Sequence, residues 1–186
     1  MNIFILDKDP MLAAQMLCDK HIPKMIVESA QMLSTANRLL DGNPEKRRSK
    51  SGKTIQTYYA FGDIRDEMYY TAVHQHHPCT VWTMTSLENY NWHFSHFAGM
   101  AMEYNFRRNK THATWQKMGM LLAAPPENIP REGLTEFAQA MNNYPECKVE
   151  GDAVTAYRNY YHQAKSFAKW NWGRSAPDWW EGYKGG

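Results

Sequence analysis

Residues 21–40 constrain this chain more than any other stretch. His21, Lys24, Glu28, Gln31, Thr35 and Arg38 follow one another at intervals of 3, 4, 3, 4 and 3. That alternation stacks them in one stripe of an α-helix. Ile22, Met25, Ile26, Met32, Leu33, Ala36, Leu39 and Leu40 fill the adjoining arc, and Val27, Ala30, Ser34 and Asn37 the remainder. The spacing predicts a helix over 22–40, closed by Asp41-Gly42. A surface helix normally carries its charges opposite its apolar arc. Here the polar stripe borders that arc and the far side is bland. Two arrangements satisfy the pattern. One is a solvated face with Lys24 and Glu28 paired a turn apart. The other is a polar stripe turned towards an internal cleft.

Most of the remaining chain also reads as helix. Asp9-Pro10 opens a short one to about Cys18. Residues 43–57 read as a polar, basic loop and 63–72 as a short helix capped by Asp63. Pro78 begins a helix through Thr85, Ser86 caps a long one from Leu87 to Arg108, and Thr111 caps another to about Ala123. Pro125, Pro126, Pro130 and Pro145 make 125–151 an arm with one turn near Glu136. Asp152 caps a last helix to about Trp170, and a tail rich in Trp, Gly and Pro runs from Asn171 to Gly186. The expected fold is mainly α. It is a single compact domain over 1–170 with about five to seven helices, the arm inside it and the tail, 171–186, docked on the body.

Composition sets the outer limits. The net charge is +2, from 21 Lys and Arg against 19 Asp and Glu, so any nucleic-acid footprint is local. Cys18, Cys79 and Cys147 lie far apart, which suits a reducing, cytosolic setting rather than a disulfide framework. No apolar run approaches the ~20 residues of a membrane span, so no membrane partner is expected. The N-terminal Ile3-Phe4-Ile5-Leu6 has no basic segment before it, and reads as a short buried strand rather than a signal peptide.

Several polar groups are candidate site residues. Glu28 is a candidate general base or cation stabiliser, Lys24 a candidate Schiff-base nucleophile, and His21 and His77 candidate proton donors. In His74-Gln75-His76-His77-Pro78-Cys79 only His77, at the Pro-initiated helix, is expected to point into the cleft. Gln31, Trp82, Asn89, Arg107, Lys110 and His112 are candidate substrate contacts, with Trp82 able to stack on a base and Arg107 and Lys110 to hold phosphate. Lys46, Arg47, Arg48, Lys50 and Lys53 form the strongest basic cluster, and Arg47, Arg48, Lys50 and Lys53 are the candidate nucleic-acid contacts. Ser51-Gly52-Lys53-Thr54 is like the end of a phosphate-binding loop, but Arg47 stands where its first glycine belongs. His93, His96 and Glu103 share a helix face, yet no second motif supplies the partners a helical metal centre needs. No metal and no cofactor is expected.

Four stretches carry a resemblance: Met1 to Pro10; Cys18-Asp19-Lys20-His21 with Lys24-Met25 and Glu28; His77 to Trp82; and Gly151-Asp152-Ala153-Val154 with Tyr157-Arg158. They resemble a family of uncharacterised proteins of tailed phages, especially T4-like phages of marine cyanobacteria. That resemblance implies a phage origin and the cytoplasm of an infected host cell, and it supplies no activity. The Ile-rich start, the short helix with an acidic-basic end, the His-Pro step and the helix ending in Arg also resemble the pyrimidine-dimer DNA glycosylase (endonuclease V-like) family. That family is mainly helical and removes damaged pyrimidines through a Schiff base on its N-terminal amine, beside a carboxylate. Glu28 and Asp19 both remain open as the matching carboxylate, and the second residue here is Asn2.

The function expected is therefore an enzyme acting on DNA or nucleotides, by N-glycosidic cleavage. The alternative is a non-enzymatic phage protein that binds a nucleotide signal or a host or phage protein. The sequence leaves the oligomeric state open.

Overall fold

The computed structural model describes residues 1–49 and 51–186; Lys50, one of the expected nucleic-acid contacts, lies outside them. The chain enters the core at once. Ile3, Phe4, Ile5 and Leu6 are all buried but pair with no strand, and Leu6 N–H turns back to the Phe4 carbonyl at 3.0 Å, which corrects the expectation of a strand. Their main chain is satisfied from a distance: Cys79 Sγ accepts from Ile3 N–H at 3.4 Å, and Arg158 donates to the Leu6 carbonyl at 2.8 Å. Asp9 then caps α1 (Pro10–Met16), its carboxylate accepting from the Met11 and Leu12 amides at 2.8 and 2.9 Å.

Helix α2 (His21–Asp41) crosses the middle of the molecule. It is buried on its apolar arc and also on most of the side read as bland, where Ala30, Ser34 and Asn37 are covered. Gly42 ends it because a Cβ there would sit 2.6 Å from the Arg38 carbonyl oxygen.

Where a loop over 43–57 was expected, two strands form a hairpin, β1 (Asn43–Arg48) and β2 (Ile55–Ala60), paired antiparallel with Arg47 opposite Gln56. The β-branched and aromatic residues Ile55, Thr57, Tyr58 and Tyr59 favour this state. Ser49 N–H donates to the Thr54 carbonyl at the turn, where Gly52 takes a φ of 70°. β1 is exposed along its whole length. An isolated two-stranded hairpin is marginal in water, so its root must be held. Arg38 holds it. Its fully buried guanidinium donates to the carbonyls of Tyr59 and Tyr70, each at 2.7 Å, and Tyr69 at 3.1 Å, and to Asp66 Oδ1 at 2.9 Å. Asp66 lies on α3 (Arg65–Met68), a single turn where a longer helix over 63–72 was expected.

His77 Nδ1 caps α4 (Pro78–Thr85), and Ser86 caps α5 (Leu87–Arg108). α1 packs closely on α5 at Gly99, where a Cβ would come within 3.0 Å of the Ala14 Cβ. α6 (Ala113–Leu122) starts at His112, whose ring nitrogen accepts from Thr114 N–H. The arm is irregular as expected, and its one helical turn falls at Pro145–Cys147 rather than near Glu136. It is tied down: Asp41 accepts from the Glu127 and Asn128 amides at 2.9 and 3.0 Å, and Tyr157 donates to the Ala138 carbonyl at 2.9 Å. Helix α7 (Ala153–Ala164), capped by Asp152, ends six residues short of Trp170. The tail folds back over it, with Trp180 stacked on His162 at 5.0 Å and Trp170 Nε1 donating to the Met16 carbonyl. The fold is mainly helical with a small two-stranded sheet.

Replacing Arg38 with Met leaves four carbonyls, of Tyr59, Asp66, Tyr69 and Tyr70, without that donor and removes the ion-pair partner of Asp66. Breaking a buried pair from one side costs about 3–5 kcal/mol. Urea unfolding of Arg38→Met should show a loss of that size, with amide exchange over 55–60 accelerated first. A loss below about 1 kcal/mol would mean that the hairpin is rooted by something else.

Candidate functional site

The buried N-terminal segment and α2 meet at Glu28. The Met1 nitrogen lies 3.6 Å from Glu28 Oε2, and Lys24 Nζ, one turn earlier on α2, lies 3.6 Å from Oε1. Both separations exceed a hydrogen bond. Glu28 Oε2 is buried with no hydrogen-bond partner, alone in this among the carboxylate oxygens of the described residues. The Glu28 side chain is 16% exposed, the Met1 side chain 6% and Lys24 61%. The carboxylate is thus held between two amines, one inside and one outside. Ser34, Thr80, Trp82 and His96 also hold buried polar atoms without a partner, but Glu28 is the carboxylate among them, and an unpartnered buried carboxylate oxygen calls for an explanation in function.

His77 completes the group. Its Nδ1 accepts from Cys79 N–H at 3.2 Å, which turns the ring towards the start of the chain. Burial, and then the positive N-terminal amine, hold its pKa below the ordinary value, while Glu28 opposes them. The ring is neutral at pH 7. Cys79, also beside the N-terminal segment, has its thiol pushed up to about 11 by burial, so it supplies no thiolate at neutral pH. Beside His77 opens a hollow of about 210 Å³, lined by His77, Pro78, Met141, Asn142, Asn143 and Tyr160. Lys165 lies over the Tyr160 ring at 4.0 Å, and burial followed by the charge of Lys24 lowers its pKa to about 8.

Of the expected catalytic residues the structure brings Glu28, Lys24 and His77 together. His21 is packed away from them. It stacks on Phe4 at 4.4 Å, shares a 2.5 Å hydrogen bond with the Tyr161 hydroxyl, and burial lowers its pKa to about 3. A ring that stays neutral well below pH 7 holds no imidazolium proton to donate. Gln31, half-buried, follows Glu28 by one turn. Asp19, the second carboxylate left open by the resemblance, accepts from Arg107 at 2.9 Å and from the Asn171 amide at 2.5 Å, so it has no free side.

The other expected substrate contacts lie elsewhere in the fold. Trp82 is buried against Trp92 and Phe137. Asn89 fastens the arm, donating to Thr135 Oγ1 at 2.8 Å and accepting from its amide at 2.9 Å. Arg107 is enclosed by Glu103, Asp19 and the Gln15 carbonyl, at 2.7, 2.9 and 2.8 Å. Lys110 is exposed beyond α5, and His112 caps α6. Arg47, Arg48 and Lys53 project from the hairpin. His93 bonds Thr83 and Ser29, and Glu103 binds Arg107 and Arg174, so the face they share carries structural bonds. The Met1 nitrogen is the group that residue-by-residue reading missed. Its sequence signal is the apolar run that follows it.

Comparison with protein-family models, curated proteins and solved structures finds no match for this chain. Among the described residues no helix is long and apolar enough to cross a membrane.

Burial makes His21, His93 and His96 resist protonation, with His21 and His96 each lowered to about 3. A histidine whose pKa is depressed on folding costs no stability above the unfolded value near 6.5. Below it the unfolded chain binds the proton and the folded chain does not. Each such group removes about 1.4 kcal/mol per pH unit between 6.5 and its folded pKa. Unfolding free energy should therefore fall by about 4 kcal/mol per unit near pH 5 from these three alone. Denaturant titrations at pH 7, 6 and 5 measure the slope, and a flat profile would contradict the burial.

Proposed function

We propose that this protein cleaves an N-glycosidic bond in DNA or nucleotides through an imine on Lys24 Nζ, with Glu28 as the acid–base and charge-stabilising group. The observation that carries the reading is the buried Glu28 carboxylate, one oxygen of it partnerless, 3.6 Å from the Lys24 amine. In its unprotonated form that amine attacks C1′. The C1′–N bond breaks and its electron pair leaves with the base, which takes a proton from water. Glu28 accepts the proton shed by the attacking nitrogen and passes it to O4′ as the C1′–O4′ bond opens, which leaves the imine. Water then hydrolyses the imine and frees the amine. The Glu28 charge also steadies the cation that develops at the sugar. The hollow beside His77 is next to this centre and receives the base.

Borohydride reduces such an imine to a stable adduct, so trapping tests the reading directly. The substrates are a duplex with one abasic site and a duplex with one pyrimidine dimer. Wild-type protein should be trapped on both. Glu28→Gln should remain folded and lose on the order of 10²–10⁴-fold in trapping rate. Lys24→Gln should abolish trapping, because it removes the attacking amine. Nucleotide or DNA binding with no trapping would replace this reading by the non-enzymatic one.

A further inference from the structure

We propose that the groove between the β1–β2 hairpin and residues 71–73 is a track for a nucleic-acid strand, which makes the substrate of the Glu28 site a polynucleotide rather than a free nucleotide. The inference rests on the reading of that site as one that acts on nucleotides.

The groove has a volume of about 710 Å³, with Arg47, Arg48, Thr57, Tyr58, Tyr59 and Val73 among its lining. The hairpin that forms it holds four cations among the described residues, Lys46, Arg47, Arg48 and Lys53, against one acid, Glu45. Glu45 pairs with Arg47 at 2.7 Å, while Lys46 and Arg48 are bonded only to neutral groups, Thr57 and the Gly52 carbonyl. The Arg47 and Arg38 guanidiniums cover the Tyr58 ring, at 4.1 and 4.9 Å, which leaves Tyr59 as the ring on which a base would stack. Cations that follow a strand, interleaved with aromatic rings on which bases stack, are the two elements of single-strand recognition. Charge alone would serve to keep an exposed edge from aggregating. That need does not call for two half-buried tyrosines or a groove beside them.

The groove also leads to the site. Val73 is fastened to α2, its amide donating to Thr35 Oγ1 at 3.0 Å and its carbonyl accepting from the same hydroxyl at 3.2 Å. Thr35 follows Glu28 by seven residues of α2, about 10 Å at 1.5 Å per residue. From Val73 the chain continues to His77, which faces the Met1 amine. Ten ångströms is about three steps of 3.4 Å along one strand of a duplex. A nucleotide at Glu28 therefore has its neighbours about three positions away in the hairpin groove. A mononucleotide does not reach.

The test is fluorescence anisotropy with a labelled 20-nucleotide duplex carrying one tetrahydrofuran abasic analogue, which has no aldehyde and cannot form an imine. Binding is thereby read independently of the chemistry. The variant is Lys46→Gln/Arg47→Gln/Arg48→Gln, all three positions being exposed and its folding checked by thermal unfolding. It should weaken binding about tenfold or more at low salt, and lower the slope of log K against log salt by about 0.7–0.9 per lost phosphate contact, two or three contacts in all. Tyr59→Ala should weaken binding about tenfold with the salt slope unchanged, as loss of base stacking does. An affinity and slope equal to wild type in the triple variant overturn the groove, even if wild-type protein is trapped by borohydride. A reduced slope with no trapping keeps the groove and removes the imine chemistry instead.

Discussion

Four apolar side chains, Ile3 to Leu6, are buried at the start of the chain, and their burial holds Met1 beside Glu28. Burying each contributes roughly 1.5–3 kcal/mol. Fixing each residue's backbone costs ~1–2 kcal/mol. These are similar sizes, so the segment stays ordered only if its polar main chain also finds partners. It does. Cys79 takes the Ile3 amide, Arg158 the Leu6 carbonyl and Trp92 the Lys8 carbonyl. Three elements distant in sequence thus position one nitrogen. A loss at any of them moves the amine without touching Glu28.

The charged side chains divide into two populations. Arg38, Arg107, Asp19 and Glu103 are buried, and their hydrogen bonds join segments that have no regular structure of their own to hold them. Glu28, Lys24 and the Met1 amine meet at 3.6 Å, beyond hydrogen-bond length. The first population is satisfied and structural. The second is close enough to interact and loose enough to bind. This difference, more than residue type, separates the candidate site from the framework.

Helices were legible because their signals are local. The caps Asp9, Ser86 and Asp152, and the alternation along 21–40, depend on residues within a turn or two. The hairpin was not, because the basic run at 46–53 reads as loop until β2 supplies its partner strand and Arg38 its root. The i,i+4 pair of Lys24 and Glu28 was equally local, and His77 was legible as the residue before a helix-starting proline. Arg107, Asn89, Trp82 and His21 show the opposite case. A sequence displays their polarity or size, but not whether that polarity is spent inside the fold. Asp19, Thr135 and Tyr161 spend it for Arg107, Asn89 and His21, and Phe137 covers the Trp82 ring, all from distant positions.

The most direct measurement is the position of the trapped sugar. Protein reduced with borohydride on abasic duplex is digested and its peptides sequenced by mass spectrometry. The deoxyribose remnant is expected on Lys24 Nζ, beside Glu28. A remnant on Lys165 or any other amine would contradict this, as would the absence of a remnant from the whole digest.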